Sequence, residues 1–202
     1  MINLNGYNDV QVGSGDNSPT LPAGAYVAHI VNAFISTFQD GSQGLFVAVE
    51  IAESDFVGYF RKQFERFKKF APNARWADNG IIKIPLCDDN GKVHWRLKKF
   101  LETVKQDNPT KINIVADSGF DERNLIGLNI GVVAGEKESQ KTKKNGEHFV
   151  NPYVSYAITI DAVRSGNFKI PDLKKYQGNS TSQNKPAANF DDTTVQEFDT
   201  PF

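Results

Sequence analysis

Two strand-forming runs joined by a short turn constrain the fold of this chain more than any other feature. Residues 25–36 (AYVAHIVNAFIS) are rich in the β-branched and aromatic residues that favour strands. Residues 45–52 (LFVAVEIA) alternate, so that Phe46 and Glu50 face away from the larger aliphatic side chains of the same run. Residues 38–44 (FQDGSQG) have the composition of a turn. The sequence therefore predicts an antiparallel hairpin with one apolar face.

The next segment carries two competing periodicities. Residues 57–64 predict a third strand, which extends the hairpin into a meander. The spacing of Phe60, Phe64 and Phe67 also fits one face of a helix. We therefore predict a strand at the start of this segment and a helical turn toward Lys69.

The rest of the chain adds one clear helix and two more strands. Residues 93–106 (VHWRLKKFLETVKQ) place their apolar side chains close to one side, which predicts a helix. Residues 128–134 and 149–163 predict the fourth and fifth strands, and a polar, lysine-bearing loop is predicted between them at 135–147. Residues 81–86 form a possible additional short strand.

The order of three strands, a helix and two strands is that of the oligonucleotide-binding (OB) fold, a five-stranded Greek-key barrel. We predict a mostly β, OB-fold domain at residues 21–177, with one helix between strands 3 and 4 and an extended strand-3 region. Residues 1–20 are predicted to form a flexible arm. Residues 178–202 carry one cation against four acids among Asn, Ser, Thr, Gln and Pro. Such a composition cannot bury enough apolar surface to order itself, so a disordered acidic tail is predicted.

One stretch combines aromatic rings with positive charge. Residues 56–76 (FVGYFRKQFERFKKFAPNARW) contain seven aromatic residues and six cations, with Glu65 as the single carboxylate. The whole chain has a net charge of −1, yet residues 56–100 hold eleven Lys and Arg against four acids. Rings can stack on bases while cations meet phosphates, which favours binding of a single-stranded nucleic acid. The alternative is that half of the aromatics belong to the core and the cations to a solvated face.

Candidate binding residues follow from this stretch and from the lysine-bearing loop. We assign Phe60 and Phe64 mainly to packing. The predicted DNA-binding residues are Tyr59, Arg61, Lys62, Arg66, Phe67, Lys68, Lys69, Arg75 and Trp76, together with Lys141, Lys143 and Lys144.

Other chemistries have little support in the sequence. The three histidines, His29, His94 and His148, lack a second ligand at metal spacing. Cys87 is alone, which fits a reducing cytoplasm and excludes an intramolecular disulfide. No run of about 18 apolar residues occurs, and residues 1–11 lack the pattern of a signal peptide. We therefore expect a cytoplasmic protein that is not an enzyme, with no cofactor, metal or membrane span.

The tail resembles a known protein-interaction element. Its sequence FDDTTVQEFDTPF is similar to the acidic C-terminal tip of bacterial single-stranded-DNA-binding proteins. The resemblance implies that the final phenylalanine enters an apolar pocket on a partner while basic side chains hold its carboxylate and the adjacent acids. The residues that this implies for partner binding are Asp191, Asp192, Glu197, Phe198, Asp199, Pro201 and Phe202.

The body resembles the phage and prophage single-stranded-DNA-binding proteins found beside recombination genes in phages of Gram-positive bacteria. The matching segments are residues 21–26 (LPAGAY), 58–62 (GYFRK), 120–133 and 164–171. The resemblance implies a protein that coats single-stranded DNA without strong sequence preference during phage DNA replication, recombination and repair. Its expected partners are host or phage replication and recombination proteins, and it is a possible homo-oligomer in the bacterial host cytoplasm.

A second hypothesis of a different class stays open. The chain could be a non-enzymatic phage interaction or structural protein whose basic face docks an acidic protein partner. The two hypotheses differ in whether the chain binds a single-stranded oligonucleotide at low salt.

Overall fold

A computed structural model describes residues 19–114 and 119–177. This part of the chain forms a five-stranded antiparallel sheet and three α-helices. The strands are β1 (Gly24–Thr37), β2 (Gln43–Ile51), β3 (Ile81–Pro85), β4 (Asn129–Thr142) and β5 (His148–Ile158). The helices are α1 (Tyr59–Phe70), α2 (Trp95–Asp107) and α3 (Ile160–Ser165). Most of the predicted arm, residues 1–18, and the predicted tail lie outside the described residues.

The sheet has the strand order β3-β2-β1-β4-β5. Strand β1 pairs with β4 through its first half and with β2 through its second half. A bulge at Val31 lies where the second pairing changes register, since Ile30 faces Val49 whereas Asn32 faces Ala48. A bulge bends its strand, so β1 can pair with β4 before the bend and with β2 after it. The edge strands β3 and β5 approach within 8 Å between Cα atoms but are not hydrogen-bonded partners, so the sheet is open.

Much of the predicted element order is confirmed. The protein is mostly β, the hairpin of β1 and β2 is present, and α2 lies between strands 3 and 4. Helix α2 begins after His94, whose Nδ1 accepts a hydrogen bond from the backbone N–H of Arg96. It ends at Asn108, whose side-chain amide donates to the carbonyls of Val104 and Asn129. This asparagine therefore closes the helix and ties it to the start of β4.

The predicted third strand at residues 57–64 is wrong. Tyr59–Phe70 is a helix, which begins after Gly58 in the left-handed conformation with φ 74°. The first amides of a helix need acceptors from outside the helix. A buried carboxylate on β2, Glu50, supplies them. The third strand is instead β3, which lies in the run predicted as a possible short strand at residues 81–86, so the extended strand-3 region is wrong as well.

The predicted polar loop at 135–147 is also mostly strand. Strand β4 continues to Thr142, and β5 starts at His148, which leaves a short turn between them. The strand predicted at 149–163 ends earlier, because Thr159 caps α3 by accepting a hydrogen bond from the Ala162 N–H. Residues 135–147 are polar because the end of the β4–β5 hairpin is exposed to solvent, although the two strands are hydrogen-bonded to each other.

The segment after α3 runs back along β4. Beyond Ala134, β4 has no pairing with β1. There Lys174 forms a parallel bridge with Lys137 on the edge of β4. The Lys174 N–H donates to the carbonyl of Glu136 (3.0 Å), and its carbonyl accepts from the N–H of Glu138 (2.8 Å). The Tyr176 N–H donates to the Glu138 carboxylate at 2.8 Å. The chain therefore reaches residue 177 fixed along the β4–β5 hairpin.

The core confirms the predicted faces of β2. Leu45, Val47, Val49 and Ile51 are all buried and contribute to one apolar cluster. Helix α2 adds Phe100 and Val104 to this cluster, and α1 adds Phe60. Phe46 and Glu50 therefore lie on the opposite face of the sheet from the main strand core.

Candidate nucleic-acid interface

An aromatic cluster lies on the outer face of β1 and β2. Phe46 is half-buried and lies opposite Phe34 on the neighbouring strand, with ring centroids 5.5 Å apart and an interplanar angle of 23°. The ring of Phe38, at the end of β1, lies 5.3 Å from that of Phe46. Cross-strand aromatic pairs of this kind stabilise a sheet. They also present ring surface at the side facing away from the core.

Strand β3 places a cation over this cluster. Lys83 is the register partner of Phe46, and its Nζ lies 5.6 Å from the Phe46 ring centroid. The same Nζ lies 2.5 Å from an Asp78 carboxylate oxygen. An exposed ion pair contributes little to stability, but it restricts where the ammonium can point. The result is a ring and a cation held side by side at the sheet edge.

A groove of about 740 Å³ opens beside this pair. It is lined by Phe46 and Lys83, by Pro85 at the end of β3, and by residues 37–40 and Ser42 of the β1–β2 turn. Ser42 donates hydrogen bonds from its hydroxyl and its N–H to Asp40, and these bonds hold the pKa of that carboxyl below its usual value. These hydrogen bonds stabilise the β1–β2 turn, which forms one wall of the groove.

Gly44 is required for the shape of this groove. A Cβ atom at Gly44 would overlap the ring of Phe38, which lies directly over the backbone at that point. Without a side chain there, Phe38 can fold back toward Phe46. A single glycine at the start of β2 therefore allows the aromatic cluster to close.

At the opposite end of β2, Glu50 anchors α1. Glu50 is 2% exposed, and its Oε1 accepts hydrogen bonds from the N–H groups of Ile51 (2.8 Å) and Phe60 (3.1 Å). Its Oε2 accepts from the N–H of Arg61 at 2.5 Å. A carboxylate at a helix N-terminus is favourable for both hydrogen bonding and the helix dipole. Glu50 lies on the same face of β2 as Phe46, so the N-terminus of α1 is tied to that face, while its Phe60 reaches the core cluster.

His29 is the cross-strand partner of Glu50 and lies beside this anchor. Burial lowers the pKa of His29, the Glu50 carboxylate opposes that shift, and Arg61 adds to it. His29, Glu50 and Arg61 line a small cavity at the start of the helix. The arrangement places a guanidinium-bearing side chain over the outer face of the hairpin.

The second half of α1 extends into solvent. Residues 65–70 are all exposed, with Phe67 51% and Phe70 83% accessible. The Arg66 guanidinium lies 5.6 Å from the Phe67 ring centroid, and the Lys68 Nζ lies 5.8 Å from that of Phe64. Exposed phenylalanines on a cationic helix are an unusual surface, because large apolar side chains gain from burial. This end of the helix is therefore a strong candidate for contact with a ligand.

The helix brings most of the predicted DNA-binding residues onto one element. Arg61, Lys62, Arg66, Phe67, Lys68 and Lys69 are all exposed there. Tyr59 is half-buried, with its ring 5.2 Å from that of Phe60 and 6.4 Å from that of Phe56. The packing role of Phe60 is confirmed, since that side chain is fully buried. The DNA-binding roles themselves stay predictions.

The remaining predicted residues lie elsewhere. Trp76 is half-buried, with its ring 5.8 Å from that of Phe64 and beside Gly80, while Arg75 is exposed. Lys141, Lys143 and Lys144 are exposed at the end of the β4–β5 hairpin, where Lys143 lies 3.4 Å from Glu147. These lysines belong to a different element from α1. The predicted partner-binding residues, from Asp191 onward, lie outside the described residues.

Sequence reasoning missed Phe34, Phe38, Phe46 and Lys83. The alternation of residues 45–52 did place Phe46 away from the core, and that was the available signal. Lys83 lies in residues 81–86, which the sequence predicted only as a possible strand. Its position over Phe46 depends on the pairing of β2 with β3, across more than thirty intervening residues.

Among the residues that the structure describes, no group of three or more His, Cys, Asp or Glu side chains could hold a metal ion. None of the described helices has the length and apolar character that a membrane span requires.

Comparison with known proteins gives no family for this chain. A scan against protein-family models found no match, and a search of curated proteins found no significant match. The resemblance to phage and bacterial single-stranded-DNA-binding proteins therefore stays a prediction.

Proposed function

We propose that this protein binds single-stranded DNA without strong sequence preference. The observation that carries the proposal is the Phe46–Lys83 face, where a ring and a cation border a groove, and the same face of β2 bears Glu50, the residue that anchors the basic helix α1. Bases can stack on rings for about 1–3 kcal/mol each, and cations can meet the phosphates. Neither contact reads a base edge, so the binding tolerates any sequence. The proposed role is binding without catalysis.

The strand order supports an OB fold for this domain. In that fold the face of strands 2 and 3 and the loop between strands 1 and 2 bind oligonucleotides. The groove lies at these elements, between the β1–β2 turn, Phe46 on β2 and Lys83 on β3. The order β3-β2-β1-β4-β5 becomes a barrel if β5 meets β3, and these two strands already approach each other. We therefore propose a partly open OB barrel.

The proposed setting follows from the resemblance of the sequence. The protein would coat single-stranded DNA during phage replication, recombination and repair in the bacterial cytoplasm. Its acidic tail, with Phe198 and Phe202 among the acids, would recruit replication or recombination proteins.

A titration with oligo-dT tests the binding. Fluorescence anisotropy of a labelled oligonucleotide is expected to show saturable binding at low salt. Affinity is expected to fall steeply as the salt concentration rises. The reason is that Lys and Arg side chains that bind phosphates release counterions from the DNA. A duplex of the same length is the control and is expected to bind more weakly, since its bases cannot stack on protein rings. Absence of oligo-dT binding at low salt would refute the proposal.

Neutralising the tail is expected to tighten DNA binding. The change replaces Asp191, Asp192 and Asp199 by Asn and Glu197 by Gln, which removes four negative charges. These acids compete with phosphates for the basic surface, so we expect an increase in affinity of a few-fold to about ten-fold at low salt. The measurement is the oligo-dT titration of both proteins. A control variant with Thr193 and Thr194 replaced by Ser should leave the affinity unchanged, and weaker binding by the neutralised variant would contradict this model.

A second candidate function is the docking of an acidic protein. The observation that favours it is the exposure of Phe67 and Phe70 beside cations, since interfaces between proteins use exposed aromatics as anchors. The same titration separates the two candidates. A docking protein would leave oligo-dT unbound at low salt.

A further inference from the structure

We infer that Trp95 forms a second stacking platform for single-stranded DNA, beyond the groove, at the start of α2. The inference rests on the proposed function and extends its site. It concerns a residue that belongs neither to the aromatic stretch of residues 56–76 nor to the Phe46–Lys83 face.

The side chains around Trp95 are open to solvent. Trp95 is 63% exposed and Val93, two residues earlier, is 66% exposed. The His94 ring stacks beside the indole, with centroids 5.8 Å apart and an interplanar angle of 28°. An indole has a large apolar surface, and it gains from burial against a flat partner. Such a surface fits a base.

A cation stands at the same place. The Arg96 guanidinium lies 5.4 Å from the Trp95 ring centroid. Lys92 precedes the platform, and Lys98 and Lys99 follow it, all of them exposed. Of the nearby acids, Asp88 already accepts hydrogen bonds from the N–H groups of two residues in its own turn. Lys92, Arg96 and Lys99 can meet a phosphate backbone here, while Lys98 pairs with Glu102 at 3.8 Å.

The platform is held in place by backbone hydrogen bonds. The His94 N–H donates to the carbonyl of Leu86 at 2.9 Å, and its Nδ1 accepts from the Arg96 N–H at 3.1 Å. Cys87 and Val93 form an isolated bridge between the two ends of the intervening turn. A surface that is ordered before binding loses less entropy when a ligand arrives. Trp95 is thus on a fixed element and not on a loose loop.

The platform continues the groove. Pro85 lines the groove, and Leu86, the next residue, donates its N–H to the carbonyl of Gln43 at 3.1 Å. The same Leu86 holds His94 through its carbonyl. The start of α2 therefore lies at the groove end of β2 and β3, whereas α1 is anchored at the other end. The inferred path of a DNA strand therefore runs over Phe46, past Pro85 and on to Trp95.

The contribution of Trp95 to affinity should therefore depend on the length of the DNA strand. Binding sites of OB folds span about 4–16 nucleotides. A short oligonucleotide can occupy the groove alone, while a long one also covers Trp95. Removing the indole should therefore weaken binding of long strands only.

The first experiment uses Trp95 as its own reporter. The variant Trp76→Phe leaves Trp95 as the sole tryptophan, since the chain contains two, and it keeps an aromatic ring at Trp76, which is itself a predicted DNA-binding residue. Titration of this variant with oligo-dT of about 16 nucleotides is expected to quench the tryptophan emission, while about 4 nucleotides should change it little. If Trp76→Phe fails to fold, the difference between the emission of the wild type and that of Trp95→Phe gives the same signal. Unchanged Trp95 emission with bound long DNA would overturn the inference.

The second experiment measures affinity by anisotropy of labelled oligo-dT. Trp95→Ala is expected to lose about 5- to 150-fold in affinity for the long strand, which corresponds to one stacked base, and nothing for the short one. Trp95→Phe should recover part of the loss because it restores a ring. Lys105→Ala, at the far end of α2, is the matched control and should bind as the wild type does.

The outcomes separate the inference from the proposed function. Equal affinity of Trp95→Ala and wild type at every length, with clear binding by both, overturns the inference and leaves the proposed function standing. No oligo-dT binding by the wild type refutes the proposed function itself. A loss of protein recruitment without any change in DNA affinity would assign Trp95 to a protein partner and overturn the inference.

Discussion

Replacing Glu50 by alanine is expected to destabilise the fold by about 2–4 kcal/mol, because several backbone N–H groups lose a charged acceptor in a buried place. The carboxylate receives hydrogen bonds from Ile51, Phe60 and Arg61, and water cannot easily replace it at a side chain that is 2% exposed. Urea unfolding followed by circular dichroism measures the loss. Glu50→Gln retains one acceptor oxygen and should lose less.

A matched control distinguishes the helix anchor from a general effect of charge. Glu53 lies three residues further along, on the surface, and pairs with Arg164 at 3.4 Å. Exposed ion pairs contribute about 0–1 kcal/mol, so Glu53→Ala should change stability little. If Glu50→Ala and Glu53→Ala unfold at the same urea concentration, Glu50 does not anchor α1. A detached α1 should also bind oligo-dT more weakly, since its cations would no longer be held in a fixed position.

Reversing three charges at the far end of α1 is expected to reduce oligo-dT affinity by 100-fold or more at low salt. The variant carries Arg66→Glu, Lys68→Glu and Lys69→Glu, and all three side chains are exposed, so the fold should persist. Each lost phosphate contact lowers the slope of log affinity against log salt by about 0.7 for a single strand. The slope should therefore fall by about 2. Anisotropy titrations at several salt concentrations measure both quantities.

A second triple variant controls for net charge. Lys105, Lys111 and Lys169 are exposed cations outside the groove, α1 and the Trp95 platform. Their reversal to glutamate changes the net charge by the same amount. We expect a much smaller loss of affinity, because exposed charges beyond about 10 Å are screened at 0.1 M salt. Equal losses in the two variants would mean that α1 makes no local contact with DNA.

The sequence predicted those parts of the fold that depend on local pattern. The alternation of residues 45–52 identified the buried face of β2, and the apolar side of residues 93–106 identified α2. The segment from Tyr59 to Phe70 was predicted incorrectly at its start because its short apolar run fits both periodicities. The helix is favoured by Glu50, ten residues before Phe60, which can accept the Phe60 N–H only when helix and strand lie side by side. The local sequence pattern cannot predict a contact between residues that far apart in the chain.

The candidate site divides in the same way. The cations of α1 are neighbours in the sequence, so a basic aromatic surface was predictable from residues 56–76 without knowledge of the fold. The pair of Phe46 and Lys83 comes from register between β2 and β3, and Phe34 joins it from β1. Residues that meet across strands give no signal in a single sequence beyond the face on which each one lies. The groove could therefore be found only in three dimensions.

The pairing of Lys174 with β4 bears on how this protein can be shortened. From Gly135 onward, one side of β4 would offer free backbone donors and acceptors, and such an open edge invites pairing with another chain. The segment around Lys174 occupies that edge in the intact protein. A version cut before Pro171 would uncover it and would be prone to aggregate, whereas a cut after Tyr176 would remove the acidic tail and keep the edge protected. Truncations meant to isolate the effect of the tail should therefore begin at residue 178.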